Sequence, residues 1–168
     1  MNLPAVACAA SSVERSTGGA VEDRNKEIIR RWIGPADDGS GPFLLTDAAL
    51  ELLAEDAVWH LPPTAEIPGL DDSQTVRGRD AIHAIQMRAG EIYDVPTMTV
   101  DIRNLLADGD WVTLQYQLNC RAANGNPYTQ EYVFLFELRD GRIVTIWDYY
   151  DTLQVAQLVL AGLDDASS

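Results

Sequence analysis

The chain has 168 residues, enough for one domain of ordinary size, and 46% of them are hydrophobic, enough to form a core. Its 12 Lys and Arg residues face 26 Asp and Glu residues, which gives a formal charge of −14. Such an acidic chain is repelled by phosphate backbones and anionic membrane surfaces, and no apolar run approaches the ~18 residues of a membrane span. We therefore expect no nucleic-acid partner and no membrane partner.

The composition of the ends predicts disordered tails at residues 1–20 and 163–168 around a single domain at 21–162. The first ten residues lack the charged start of a signal peptide, and Pro4 interrupts their apolar run. We therefore expect a cytoplasmic protein. Two cysteines do not make a disulfide framework, and two histidines do not suggest a metal site, so no metal is expected.

The N-terminal half carries three helical patterns. Apolar residues recur at helical spacing over 21–33, a second helix begins after Thr46, and a third runs from Asp80 to Tyr93. A short strand at 57–61 lies between the second helix and the third. The helices therefore precede most of the strands.

Four strand-like segments follow, at 97–106, 111–121, 128–139 and 142–151. The sequences Asp-Gly-Asp, Asn-Gly-Asn-Pro and Asp-Gly separate them, and each is typical of a turn. A last helical segment is predicted at 153–160. This order predicts an α+β domain in which helices close one face of an antiparallel sheet.

Four features carry a resemblance to a known family. They are Asp-Ala-Val-Trp-His-Leu-Pro at 56–62, Gly-Arg-Asp-Ala-Ile at 78–82, the two long hairpins, and the segment 140–151 with its Trp-Asp-Tyr-Tyr-Asp sequence. Over residues 22–160 the chain resembles the SnoaL-like and ketosteroid-isomerase-like group of the nuclear-transport-factor-2-like fold. The resemblance implies a cone-shaped, curved antiparallel sheet with three N-terminal helices closing an apolar pocket.

The resemblance also implies a site residue. Members similar to limonene epoxide hydrolase carry a carboxylate on the last strand, where this chain has Asp148. Their Arg and second Asp on the first long hairpin correspond to Gln115 and Gln117 here. Their Tyr and Asn on the short strand correspond to Trp59 and Leu61. These departures disfavour a close copy of the epoxide-opening mechanism.

The strand at 111–121 has one polar face and one apolar face. Alternation alone favours the polar face toward solvent and the apolar face in the core. The resemblance favours the reverse, with Gln115, Gln117 and Asn119 lining the pocket. We adopt the second interpretation, in which a second subunit or the tail covers the apolar face, and so predict a homodimer packed sheet to sheet.

Hairpin register decides which side chains meet Asp148. A two-residue turn at Asp140-Gly141 would set it opposite Val133, and a three-residue loop with a bulge would set it opposite Tyr132. We prefer the second register, because it places the carboxyl among neutral hydrogen-bonding groups.

A carboxyl group among aromatic side chains has a raised pKa and can act as acid or base near neutral pH. We therefore predict an enzyme of isomerase, cyclase or dehydratase type that uses cofactor-free acid–base chemistry on a small, apolar, oxygenated substrate. Asp148 and Tyr132 are the candidate catalytic residues. The candidate substrate-binding residues are Trp32, Trp59, Tyr93, Gln115, Gln117, Asn119, Gln130, Phe134 and Tyr150, with His60 as a further candidate although strand parity points it away from Trp59.

Two alternatives stay open. The scarcity of reactive groups also suits a non-catalytic small-molecule-binding or interaction module of the same fold. An epoxide hydrolase with a rearranged site would need a second acid near Asp148, and Glu131 is the nearby candidate.

Overall fold

The computed structural model describes residues 18–65 and 74–157. Most of the two predicted tails, and residues 158–160 of the predicted last helix, lie outside these ranges. The helices are α1 (Gly18–Ile33) and α2 (Arg79–Met87), and 3₁₀ turns occupy Phe43–Leu45, Asp47–Leu52 and Arg88–Glu91. The strands are β1 (Leu53–His60), β2 (Thr75–Arg77), β3 (Tyr93–Asp108), β4 (Trp111–Ala122), β5 (Pro127–Arg139) and β6 (Arg142–Tyr150).

The six strands form one curved open sheet in the order β2-β1-β6-β5-β4-β3. Neighbouring strands pair antiparallel, except that β1 and β6 are parallel. This arrangement confirms the predicted α+β class and cone-type fold. No helix within the two described ranges has the length and apolarity needed to cross a bilayer.

The helical predictions differ from the structure at several boundaries. Helix α1 begins at Gly18, three residues before the predicted start, and the second predicted helix is a 3₁₀ turn. The third helix ends at Met87, so Tyr93 begins a strand instead of ending a helix. Strand β3 tolerates Pro96 because it is an edge strand and its pairing with β4 is irregular there.

Helix α1 covers one face of the sheet, which we call the inner face. The Trp32 ring packs edge-on against Phe134 and Phe136, with ring centroids 5.5 and 5.3 Å apart. Leu114 lies directly opposite Phe134 in the sheet and therefore shares its face. The inner face of β4 is thus its apolar face, with the buried residues Val112, Leu114, Tyr116 and Leu118.

This geometry corrects the interpretation taken from the resemblance. The apolar face of β4 is filled by the protein's own helix, and the polar face is the outer face. Burying apolar side chains against α1 removes them from water, which is the dominant favourable term in folding. The homodimer remains a prediction, but the face on which it was based is part of the core of one chain.

The register of the β5–β6 hairpin also differs from both alternatives. Asp140 and Gly141 form a two-residue turn with φ of 53° and 76°, and Arg139 pairs with Arg142. The pairing then shifts by one residue, because Val144 is an extra residue between two paired positions. As a result, Asp148 lies opposite Phe134.

Candidate functional site

Asp148 occupies the inner face of β6, between β1 and β5. Its side chain is only 4% exposed, and it is the one buried acidic residue within 18–65 and 74–157. Its Oδ1 atom has no hydrogen-bond partner there. Burial raises the pKa of the Asp148 carboxyl well above its usual range, although the backbone amide of Tyr149 opposes the shift. The group is therefore suited to hold or exchange a proton near neutral pH.

Aromatic rings surround this carboxyl on the inner face. Phe134 lies directly opposite Asp148, and the Trp32 ring packs on Phe134 from α1. Tyr132 stacks on Tyr116 with ring centroids 5.3 Å apart, and its ring lies 5.2 Å from that of Tyr150. These rings leave little water around Asp148, which explains the direction of its pKa shift.

A set of hydrogen-bonded side chains, which we call the tyrosine chain, lies on the same face. The hydroxyl of Tyr132 is 3.2 Å from that of Tyr93 and 3.0 Å from that of Tyr128. Tyr128 donates to Oε1 of Gln130, and Nε2 of Gln130 donates to the backbone carbonyl of Asp151 over 3.2 Å. Burial raises the pKa of all three tyrosines, so their hydroxyls stay protonated at neutral pH.

Two indole N–H groups on the inner side of the sheet have no partner. Nε1 of Trp32 and Nε1 of Trp59 are both buried and donate to no described residue. Trp59 pairs with Ile146, two residues before Asp148, and Trp32 packs on Phe134 across from Asp148. Since buried donors are normally satisfied, these two N–H groups are suited to meet the oxygen of a ligand.

Three of the predicted binding residues do not lie on the inner face. Gln115, Gln117 and Asn119 lie on the outer face, because they pair with Val133, Glu131 and Thr129. Gln115 bonds to Asn104 and Glu131, Gln117 to Arg103 and Asn119, and Asn119 to Thr129. These three side chains therefore lie on the face opposite to Asp148, because α1 covers the other face of β4.

His60 is also separated from Asp148. It pairs with Trp147 on the outer face, and the two rings are stacked with centroids 5.3 Å apart. Partial burial, with a smaller effect from the positive charge of Arg77, lowers the pKa of His60. His60 therefore packs on Trp147 on the face opposite to Asp148.

The structure thus brings eight predicted residues to the inner side and adds two. The eight are Trp32, Trp59, Tyr93, Gln130, Tyr132, Phe134, Asp148 and Tyr150. The two that the sequence analysis missed are Tyr116 and Tyr128. Tyr128 shares strand parity with Gln130 and Tyr132, which is a signal that could have identified it. Tyr116 lies on the apolar face of β4, which the sequence analysis predicts to be outside the pocket.

Among the described residues, no three His, Cys, Asp or Glu side chains are close enough to hold a metal ion. The family model for the SnoaL-like domain matches residues 45–146. No curated protein sequence matches the chain.

Solved structures share the fold. A candidate SnoaL-like polyketide cyclase from Jannaschia sp. CCS1 is 21% identical, covering 88% of this chain and 97% of its own, with a TM-score of 0.64. IdmH, a candidate polyketide cyclase from Streptomyces antibioticus, is 22% identical over 80% and 97%, with a TM-score of 0.64. A protein of ketosteroid-isomerase-like fold from Catenulispora acidiphila DSM 44928, in complex with trimethylamine, is 20% identical over 79% and 92%, with a TM-score of 0.60.

Proposed function

Because the chain belongs to the SnoaL-like domain family, we propose that it binds a small, apolar, oxygenated molecule at the inner face and catalyses cofactor-free acid–base chemistry there. One observation carries this proposal. Asp148 is a lone buried acid whose Oδ1 has no partner, set among aromatic rings. Perturbed carboxyl groups of this kind are typical of sites that transfer protons.

The proposed step is a proton transfer within one substrate molecule. The Asp148 carboxylate takes a proton from a carbon next to a carbonyl group, and the electron pair moves onto the carbonyl oxygen. The protonated Asp148 then returns the proton to another atom of the same molecule. Return to carbon gives an isomer, and return to a departing hydroxyl group gives a dehydrated product and water.

The developing negative charge on oxygen needs donors that are already in place. The unpartnered indole N–H groups of Trp59 and Trp32 are the donors that we propose for this role. They replace Gln115 and Gln117, which lie on the outer face. Tyr132 is proposed as a positioning residue, since its hydroxyl is hydrogen-bonded to two other tyrosines.

The described residues support one of the two alternative functions, a binding module, and disfavour the other, epoxide hydrolysis. A binding module without catalysis is supported by the absence of a second buried acid or base touching Asp148 within the described ranges. Epoxide hydrolysis needs a second acid, and Glu131 lies on the outer face, where it accepts a hydrogen bond from Gln115. The geometry therefore disfavours epoxide hydrolysis through Glu131.

The test compares the Asp148→Asn variant with the wild type on a panel of enones, β-ketoesters and epoxides. The conservative change keeps the side-chain volume but removes the transferable proton, so turnover is expected to fall about 100-fold or more. Asp101→Asn, at an acid on the edge strand β3, is the matched control and keeps its activity. Full activity of Asp148→Asn would remove Asp148 from the mechanism, and tight binding without turnover would favour the binding module.

A further inference from the structure

The tyrosine chain has one possible direction, and a backbone carbonyl fixes it. The carbonyl of Asp151 can only accept a hydrogen bond, so the Gln130 group that faces it is its NH₂ group. Oε1 of Gln130 therefore faces Tyr128 and accepts the Tyr128 proton. The orientation of the buried Gln130 amide thus follows from its two partners.

Each tyrosine hydroxyl has a single proton, so the remaining directions follow in turn. The Tyr128 proton is committed to Gln130, so the Tyr128 oxygen accepts from Tyr132 across 3.0 Å. The Tyr132 proton is then committed as well, so Tyr132 accepts from Tyr93 across 3.2 Å. The Tyr93 hydroxyl is also hydrogen-bonded to that of Tyr128, whose proton is committed to Gln130, so Tyr93 is the donor there too and its proton stays within the chain.

Tyr93 is the open end of this chain. Tyr128, Gln130 and Tyr132 are at most 7% exposed, whereas Tyr93 is only partly buried. Because its one proton is given to Tyr132, the Tyr93 oxygen offers only lone pairs to a ligand. Its partner Tyr132 lies on the same face of β5 as Phe134, the residue directly opposite Asp148, so Tyr93 and Asp148 belong to the same side of the sheet.

We infer that Tyr93 accepts a hydrogen bond from the ligand, so that the site selects molecules carrying a hydroxyl group, such as a phenol or an enol, at this position. Gln130 is then a specificity-determining residue, although it lies behind two tyrosines. For Tyr93 to donate to the ligand instead, either the Tyr93–Tyr132 hydrogen bond would have to break or the whole chain would have to reverse. Reversal would turn Oε1 of Gln130 toward the carbonyl of Asp151, leaving two acceptors facing each other. This inference rests on the ligand position of the proposed function, not on catalysis.

The test is equilibrium binding of two probes with the same apolar body, naphthol and methoxynaphthalene. Only naphthol can donate a hydrogen bond, so the wild type is expected to bind it about fivefold more tightly, the value of one net hydrogen bond. Tyr93→Phe is expected to bring this ratio to about one. Gln130→Leu is expected to lower the ratio as well, because it removes the acceptor that fixes the chain.

The matched control is Gln86→Leu. Gln86 is another buried glutamine, 4% exposed, and its amide atoms have no partner among the described residues. Its replacement is expected to leave the probe ratio unchanged.

Equal binding of the two probes by the wild type, or a ratio that persists in Tyr93→Phe, would overturn the inference. Failure of both probes to bind would overturn the ligand position itself. Turnover by Asp148→Asn is a separate measurement, so failure of the catalytic proposal is distinguishable from failure of this one.

Discussion

Asp148 lies directly opposite Phe134, and the bulge at Val144 creates this pairing. Without the extra residue, the turn at Asp140-Gly141 would set Asp148 opposite Val133, whose side chain is on the outer face. A shift of one residue exchanges the two faces of a strand. The bulge therefore decides whether the acid is buried among aromatic rings or lies on the outer surface.

Stability should depend on pH through Asp148. Burial raises the pKa of its carboxyl well above the usual range, so the native state keeps a proton that the unfolded chain loses above about pH 4. The unfolding free energy should therefore fall as pH rises from about 4 toward the native pKa, by at most about 1.4 kcal/mol per pH unit.

Urea unfolding of wild type and Asp148→Asn at several pH values measures this contribution. The difference between the two proteins isolates Asp148 from carboxyl groups such as Asp23, whose pKa a hydrogen bond and charge from Lys26 lower. We expect Asp148→Asn to gain stability relative to wild type as pH rises. Parallel pH curves would contradict the burial of a titrating acid.

Trp59→Phe should weaken binding of an oxygenated ligand. The substitution removes an indole N–H that is buried without a partner, while it keeps an aromatic ring at the position. We expect the affinity for acetylnaphthalene to fall about fivefold, the value of one hydrogen bond, and the affinity for ethylnaphthalene to stay nearly constant. An equal loss for both ligands would show that only packing had changed.

Substitutions on the outer face should leave function intact. Gln115→Ala and Gln117→Ala remove side chains that lie on the face opposite to Asp148. We expect kcat/KM to change by no more than about twofold, as for surface positions in general. A large loss at either position would return the polar face of β4 to the site, and a thermal melt would exclude unfolding as its cause.

Gly141→Ala should destabilise the protein through its backbone alone. Gly141 has a φ of 76°, and an added Cβ would meet no atom within 4 Å. The expected cost is about 1 kcal/mol, because an L-residue is strained in the left-handed region. Gly19→Ala, in helix α1 with equally open surroundings, is the matched control and should not destabilise. Equal stability of the two variants would contradict this account.

Turn chemistry and alternation predicted much of the sheet. The long strands on both sides of Asp140-Gly141 form as predicted, although the turn between them has two residues and the preferred prediction is a three-residue loop. Alternation also placed Asp148 on the same face as Tyr150, and Gln130 on the same face as Tyr132. These are local properties, because neighbouring side chains on a strand point to opposite sides whatever the rest of the chain does.

The sequence by itself therefore determined the strands, their turns and the grouping of residues on each strand face. Only the tertiary structure decided which face became the core: α1 buries the apolar face of β4, so Gln115 and Gln117 lie outside and Tyr116 lies inside. The tertiary structure also decided which residue lies opposite Asp148, because no residue type near Val144 indicates a bulge there. Alternation defines two faces equally well, and contact with a helix distant in the sequence makes one of them the inside.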